Sequence, residues 1–483
     1  MSAPAALAAF RRRTARALAD TELHGNLRRA TGGTLAKRRA LLAALPSADA
    51  DRHAVAAARH ADAPAREALL GRAVAQMEAA GFTVHHAADA AAARGLVLGI
   101  LRDAGARRVV KSKSMITEEI ELNAELEAAG LDVVETDLGE FIVQQLGERP
   151  SHITAPALHL NRRQIGALFA RLWPDEPPSE DPATLTAQAR RHLRERFLAA
   201  DAGVTGANFV IAETGSLVLV ENEGNIGLCS SVPPLHIALA GIEKVLPRLA
   251  DLDPLLRLLP ANATGQRAGS YVSLINGPAP AGDGPAPAGD GPTARHVIFV
   301  DNGRRALAAS PEAEILACLR CGSCLNVCPC FRHAGGHSYG TIYPGPMGIL
   351  QSPYLAAGAP PAADGRSAHR LETSLADVCS LCGACAEICP AEIPLPDLIW
   401  RARVAKEEDA PAGRRAPWRV FAALSARPRS FRLAAGLMRA ALRIAPGLAA
   451  ALARAWSANR ALPPAPPRSF AAELRRRHPE RIR

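Results

Sequence analysis

Nine of the ten cysteines in this 483-residue chain lie between residues 318 and 389, where one spacing pattern occurs twice. Each copy is C-x2-C-x2-C-x3-C-P. Three thiolates two residues apart can hold three corners of one iron-sulfur cubane, while the fourth cysteine of such a run ligates the other cluster. The pattern therefore predicts two [4Fe-4S] clusters with crossed ligands. The predicted ligands are Cys318, Cys321, Cys324 and Cys389 for the first cluster, and Cys379, Cys382, Cys385 and Cys328 for the second.

Zinc and disulfides are the alternative uses of these cysteines. A zinc site takes four ligands in two close pairs, which would leave half of the thiols without a role. Disulfides need an oxidising compartment, and we expect no export because the N-terminal residues lack an apolar run with a cleavage site. Iron-sulfur chemistry therefore fits best. Cys330, one residue beyond the first motif, is either a buried spare thiol or an extra group that alters the first cluster.

The residues around the motifs favour helices. Fifty residues separate Cys328 from Cys379, which is too long for a compact ferredoxin of two abutting halves. Helix-forming residues precede each motif, and 396–406 continues with apolar residues at helical spacing. We therefore predict an all-α ferredoxin-type domain with two [4Fe-4S] clusters over residues 309–410.

Residues 66–308 alternate between strand-like and helix-like patterns, which predicts an α/β domain with a largely parallel sheet. Residues 1–65 form a helical segment in which Thr31-Gly32-Gly33 is expected to break the helix. A Pro/Gly/Ala-rich insertion at 278–292 interrupts 271–276 and 296–300, which we interpret as neighbouring strands. No G-x-G-x-x-G follows any predicted strand, so the chain shows no flavin or NAD signature.

Three residues outside the cysteine motifs are candidates for catalysis. Lys111 and Lys113 follow a predicted strand, and Thr117 is expected to cap a helix that runs to Ala129. Anions tend to bind at such a position, although an ordinary capped turn with solvated lysines explains it as well. Glu213 lies at a predicted tight turn, where it is either functional or a common turn acid.

Two histidine-containing segments allow plainer interpretations. His152 and His159 lie near a turn but lack a third ligand at a sensible spacing, so we expect polar turn residues there and no metal site. The loop with His337 and Tyr339 is either a partner-facing surface or a glycine-rich turn.

The positive charge of the chain is concentrated in its last residues. The net charge is +10, but residues 411–483 contain sixteen arginines and two acids, so they carry +14 and the first 410 residues carry −4. We predict a basic helical C-terminal tail that contacts either anionic lipid or a partner protein. No nucleic-acid motif accompanies these arginines. Charged residues and Pro446 interrupt the most apolar stretch, 433–456, so no membrane span is expected.

Several motifs together are similar to the lactate utilization protein B family. They occur in the same order as in that family, and they are Lys111-Ser112-Lys113-Ser114-Met115, Glu213-Thr214-Gly215, Gly241-Ile242-Glu243-Lys244, Asp301-Asn302-Gly303-Arg304, the first cysteine motif, Gly335-Gly336-His337-Ser338-Tyr339-Gly340 and Tyr343-Pro344-Gly345-Pro346. The resemblance implies an N-terminal domain related to CoA-transferase-like and sugar-phosphate-isomerase-like α/β folds. It also implies two companions, one similar to cysteine-rich heterodisulfide-reductase subunits and one a shorter homologue of the N-terminal domain.

The resemblance leads to a functional hypothesis. We expect an electron-transfer subunit of a multi-protein system that oxidises L-lactate to pyruvate in the cytoplasm, with a tail that either docks on a partner or contacts the inner face of the membrane. One alternative replaces lactate with glycolate or another 2-hydroxy acid. Another makes the N-terminal domain an enzyme for an anionic substrate, using Glu213, Lys111 and Lys113, with redox-sensing clusters.

Overall fold

The computed structural model describes residues 3–279, 291–355, 373–408, 412–452, 464 and 466–477. The chain divides into two compact units, Met1–Val404 and Ala405–Arg483. Most of the predicted 278–292 insertion lies outside the described residues. The predicted domain limits at 65, 308 and 410 stay predictions.

Ten strands occur in the described residues, and they form two sheets. They are β1 (Thr83–Ala87), β2 (Arg108–Lys111), β3 (Asp132–Glu135), β4 (Ala202–Gly206), β5 (Phe209–Ile211), β6 (Ser216–Glu221), β7 (Leu235–Gly241), β8 (Val245–Leu246), β9 (Tyr271–Ile275) and β10 (Ala294–Val300).

The larger sheet has six strands in the order β1-β10-β7-β4-β2-β3, and all of its neighbours are parallel. Every residue of β7 is buried, as expected for a central strand covered on both faces. The predicted parallel α/β domain is therefore confirmed. The chain leaves β2 toward β3 and leaves β4 toward β7, so the direction of winding switches between β2 and β4.

The smaller sheet has the order β8-β5-β6-β9. Strand β9 pairs with β6, whereas β10 pairs with β1 and β7 in the larger sheet. The prediction that the strands on either side of the insertion are neighbours is therefore wrong. Their apolar patterns show that both are strands, but such patterns carry no information about which sheet a strand joins.

The helices are numbered in chain order. In Met1–Val404 and just beyond they are α1 (Ala3–Ala19), α2 (Thr21–Ala43), α3 (Ala48–Arg59), α4 (Ala63–Ala79), α5 (Ala90–Asp103), α6 (Met115–Glu119), α7 (Leu122–Ala128), α8 (Leu138–Leu146), α9 (Arg162–Leu172), α10 (Pro182–Ala199), α11 (Asn225–Ser231), α12 (Leu252–Ala263), α13 (Arg304–Ala308), α14 (Ser323–Val327), α15 (Pro329–Ala334), α16 (Gly345–Leu355), α17 (Ala384–Glu387) and α18 (Leu395–Glu408). Short 3-10 helices cover Ile242–Lys244, Leu249–Asp251, Ala313–Ala317 and Thr373–Val378.

Two helix boundaries differ from the sequence-based prediction. Helix α2 continues through Gly32 and Gly33, and the buried Thr31 hydroxyl donates to the Leu27 carbonyl at 2.6 Å within it. Tertiary packing against α12, α14 and α15 outweighs the low helix propensity of glycine. The helix predicted to reach Ala129 starts earlier, at Met115, and is interrupted at Glu121, whose φ angle of 54° is left-handed.

The cysteine motifs lie in a helical region that packs on the rest of Met1–Val404. One hydrophobic core contains Leu27 of α2, Phe209 of β5 and Leu325 of α14, together with several motif cysteines. In the described part of residues 309–404 every regular element is helical, as predicted. The core therefore continues across the predicted domain boundary at residue 308.

The second unit contains four described helices, α19 (Ala412–Ser425), α20 (Pro428–Ile444), α21 (Pro446–Leu452) and α22 (Phe470–Arg477). Large apolar side chains on these helices are exposed, including Trp418, Phe421, Phe431 and Leu437. Among the described residues no helix has the length and apolar character needed to cross a membrane.

Candidate metal centres and the adjoining pocket

The two cysteine motifs have the same local backbone structure. The N–H of Arg320 donates to Cys318 Sγ at 3.3 Å, and the N–H of Leu381 donates to Cys379 Sγ at 3.3 Å. Left-handed φ angles recur at matched positions, at Arg320 (57°) and Gly322 (78°) in the first motif and at Leu381 (53°) and Gly383 (86°) in the second. This conformation turns successive N–H groups inward, where they can donate to sulfur.

The fourth cysteine of the second motif lies with the first motif. A small cavity is lined by Cys318, Cys321, Cys324 and Cys389. Helices α14 and α17, which follow the first two cysteines of their motifs, contact each other and bring the two runs together. These are the four cysteines that the spacing predicts for the first cluster, and their assignment as its ligands stays a prediction.

The remaining motif cysteines form a second group. The neighbouring thiols of Cys379, Cys328 and Cys382 each help to raise the pKa of Cys385, so they lie close to it. Cys328 therefore lies near the second motif, although it belongs to the first run. Of this group Cys382 is exposed, while Cys328 and Cys385 are buried.

Burial makes these thiols poor acids without a metal. It raises the pKa of Cys321 and of Cys385 to about 12, with the neighbouring thiols adding to the rise. The groups would therefore stay protonated at neutral pH unless a cation displaced the protons. Two sets of four sulfur donors, most of them buried or half-buried, fit iron-sulfur clusters, whose irons supply that positive charge.

Cys330 lies beside the second group and not the first. Its thiol donates to the Val378 carbonyl at 3.1 Å, and its charge interactions are with Cys328, Cys379 and Cys382. The alternative in which Cys330 alters the first cluster does not fit this position, because α15 begins at Pro329 and carries it toward the second motif. Tyr339 is buried near Cys328, so it does not face a partner from the loop surface.

An ion-pair network connects the first motif to the α/β sheet. Arg304 is fully buried and pairs with Glu119 at 2.8 Å and with Glu243 at 2.6 Å. Glu243 also pairs with Arg320 of the motif at 3.1 Å. The hydroxyl of Tyr343 donates to Glu119 at 2.6 Å, and its ring lies under the Arg320 guanidinium.

Sequence reasoning did not assign a role to these five residues. Four of them occur in or beside motifs that carry the family resemblance, which was the available signal. What the motifs could not show is that segments far apart in the chain meet at one buried site. The network holds the first cysteine motif at the carboxyl end of β7 and β10.

The catalytic candidates do not come together. Lys111 is fully buried, and its ammonium pairs with Glu135 at 2.6 Å and with Glu118 at 3.3 Å. Burial alone would lower the pKa of Lys111, but these carboxylates outweigh it and raise the pKa. Lys113 instead lines a pocket and donates to the Ile153 carbonyl at 2.7 Å. Glu213 is exposed at the β5–β6 turn and accepts a hydrogen bond from the Leu249 N–H at 2.8 Å.

The two histidines of the 150–159 turn behave differently. His152 is buried, and its Nδ1 accepts from the N–H groups of Thr154 and Ala155, as expected of a turn residue. Burial lowers the pKa of His152 to about 3, so it is neutral. His159 Nε2 lies 2.8 Å from a Glu148 oxygen, and His337 lies close to both residues. The spacing of the sequence did not predict this third neighbour.

A cavity of about 350 Å³ adjoins the first motif. Its walls come from the carboxyl ends of β2, β4 and β7, and include Lys113, Gly206, Lys244 and Arg320. Lys244 is only 8% exposed, and in the described part of the chain its ammonium makes no hydrogen bond or ion pair. Burial, together with repulsion from Arg320, lowers the pKa of Lys244 to about 7.

Family comparisons agree with this architecture. Residues 70–300 match the LUD domain, and residues 314–393 match the 4Fe-4S dicluster domain. The chain is therefore an iron-sulfur protein in which an α/β LUD domain is joined to a region that carries two [4Fe-4S] clusters.

Similar proteins identify the family. The chain is 42% identical to lactate utilization protein B of Bacillus cytotoxicus over 344 residues, which cover 71% of this chain and 69% of that protein. It is 44% identical over 308 residues to the uncharacterized electron transport protein YkgF of Escherichia coli K12, covering 64% and 61% of the two chains. The chain belongs to the lactate utilization protein B family, as its motifs indicated.

A solved structure gives a more distant likeness. The crystal structure of a DUF162 family protein from Deinococcus radiodurans aligns with 49% of this chain and 98% of its own length. At 17% identity and a TM-score of 0.28, this likeness is too distant to support any inference about the chain.

Proposed function

We propose that this chain is the electron-transfer subunit of a multi-protein system that oxidises L-lactate to pyruvate. The observation that carries the proposal is the shared cavity of Cys318, Cys321, Cys324 and Cys389, because sulfurs from both motifs meet there. The names of the relatives, one for lactate utilization and one for electron transport, support the same assignment.

We assign the ligands of the first cluster to the cysteines that line this cavity. The ligands of the second would be Cys379, Cys382, Cys385 and Cys328, which are close enough together for the other three to raise the pKa of Cys385. Lactate oxidation releases two electrons and two protons, and clusters bound at these cysteines would supply one-electron transfer steps between donor and acceptor.

The residues around the sulfurs have separate tasks in this proposal. The N–H groups of Arg320 and Leu381 donate to cysteine sulfurs, which stabilises negative charge there. The apolar core around Leu325 excludes water from the first site. The network of Glu119, Glu243 and Arg304 holds Arg320 in place, so that its backbone donor stays directed at Cys318.

The partner assignment rests on the family. We propose that one companion is a cysteine-rich subunit similar to heterodisulfide-reductase subunits, and that the other is a shorter homologue of the LUD domain. We also propose a cytoplasmic protein whose basic tail contacts the inner face of the membrane. The exposed apolar and arginine side chains of α20 support such a contact.

The proposal is tested by electron paramagnetic resonance of the anaerobically purified complex. Addition of L-lactate should produce the signal of reduced [4Fe-4S] clusters. A second sample receives glycolate in place of lactate. If glycolate reduces the clusters and lactate does not, the substrate is glycolate. If dithionite reduces the clusters but neither acid does, the proposal of a 2-hydroxy-acid system is wrong.

A further inference from the structure

We infer that the cavity beside the first cysteine motif binds a small 2-hydroxy- or 2-oxocarboxylate, and that Lys244 and Arg320 hold the carboxylate. The choice of this chemical class rests on the proposed function. The location and the charge of the ligand rest on the structure of the pocket.

The position of the cavity is typical of a ligand site. It opens at the carboxyl ends of β2, β4 and β7, and the direction of winding switches between β2 and β4. In open parallel sheets the two connections that leave such a switch point diverge, and ligands bind in the crevice between them. Gly206 lets the end of β4 lie close to Ser114, because a Cβ at residue 206 would be 2.5 Å from Ser114 Oγ.

The charges of the cavity wall favour an anion. Three basic residues line it, Lys113, Lys244 and Arg320, and Arg320 is also paired with Glu243 at 3.1 Å. Of these, Lys244 has an ammonium that makes no ion pair or hydrogen bond among the described residues. Because Lys244 lines the cavity, a carboxylate bound there would pair with its ammonium and screen it from Arg320.

The other side of the cavity limits the ligand to a single negative charge. Glu221 and Glu223 line it there, and both accept backbone hydrogen bonds, Glu221 from Ile226 and Gly227 at 2.7 and 2.8 Å. A phosphate ester with two charges would be repelled by these carboxylates. A monocarboxylate with a neutral hydroxyl or carbonyl group fits both sides, because only its charged end needs to reach Lys244.

The site also places the ligand near the first cluster ligands. Arg320 lies between Cys318 and Cys321 in sequence, its N–H donates to Cys318 Sγ, and the residue is one of those that line the cavity. One residue therefore contacts both the cysteine motif and the proposed carboxylate. Binding of the carboxylate should change the surroundings of the first cluster but not of the second.

The inference is tested by isothermal titration calorimetry on the anaerobically purified full-length holoprotein, with L-lactate, pyruvate and inorganic phosphate as probes. Lys244→Met should weaken lactate and pyruvate binding roughly tenfold to hundredfold, since it removes a charge-assisted hydrogen bond. Lys244→Arg should recover part of the affinity. Lys37→Met is the matched control, because Lys37 is exposed on α2 and outside the cavity, and it should bind like the unaltered protein.

Iron content and the resonance spectrum of the dithionite-reduced protein complete the test. Lys244→Met should have the same iron content and the same spectrum as the unaltered protein. Pyruvate should shift the spectrum of the unaltered protein but not that of Lys244→Met. If the unaltered protein carries both clusters but binds neither acid, the inference is wrong while the proposed function stands. The inference is also wrong if phosphate binds as tightly as lactate and pyruvate, or if Lys244→Met binds these acids as tightly as the unaltered protein. Carboxylate binding to a protein that lacks iron would support the pocket and contradict the proposed function.

Discussion

Neutralising Glu243 should destabilise the protein strongly. Glu243 is 4% exposed and pairs with Arg304 at 2.6 Å and with Arg320 at 3.1 Å. Glu243→Gln keeps the shape of the side chain but removes its charge, so two buried guanidinium groups lose a counter-ion. Breaking a buried ion pair by removing one partner typically costs about 3–5 kcal/mol, and we expect a loss in that range.

The assay is urea unfolding of the anaerobic holoprotein, followed by circular dichroism. Glu213→Gln is the matched control, because Glu213 is exposed and accepts a hydrogen bond from the Leu249 N–H at 2.8 Å. It should cost less than about 1 kcal/mol. Similar losses for Glu243→Gln and Glu213→Gln would refute the interpretation that the buried network fastens the first cysteine motif to the sheet.

The pH dependence has a defined sign. Burial alone would raise the pKa of Glu243, but Arg304 and Arg320 outweigh it and hold the pKa well below its usual value of 4.5. A depressed carboxylate pKa contributes stability that is fully present above the unfolded-state value and is lost as the pH falls toward the folded-state value. The difference between the unaltered protein and Glu243→Gln should therefore be constant near neutral pH and shrink only below about pH 4.5.

Three further predictions concern the cysteines, Glu213 and the tail. Cys389→Ser should lose roughly half of the iron because it removes a ligand of one cluster, whereas Cys330→Ser should keep all of it; equal iron loss would contradict the assignment. Lactate should reduce the clusters of Glu213→Gln as fully as those of the unaltered protein, and impaired reduction would place Glu213 in the reaction. The protein should co-sediment with anionic liposomes at low salt and less at high salt, and removal of residues 411–483 should abolish this; no binding at either salt would refute the membrane contact.

The features predicted correctly from the sequence are those that depend on neighbouring residues. The two [4Fe-4S] clusters follow from the repeated cysteine spacing, because the geometry of a cubane is local, while the assignment of each ligand stays a prediction. Likewise, short apolar runs such as Leu235–Gly241 identify buried strands. The parallel sheet follows from their alternation with helices.

The features missed depend on contacts between distant segments. Glu243, Arg304 and Arg320 look like ordinary charged residues until the fold buries them together. The cavity around Lys244 requires the ends of three strands, and no single motif shows that they converge. Helix α2 continues through Gly32 and Gly33 because its neighbours hold it, which local propensity cannot reveal.

The most direct test of the account is the iron and acid-labile sulfide content of the anaerobically purified protein. Two [4Fe-4S] clusters predict about eight iron and about eight sulfide per chain. Zinc in place of iron, or iron and sulfide far below these amounts, would contradict the assignment of the cysteines and with it the electron-transfer function.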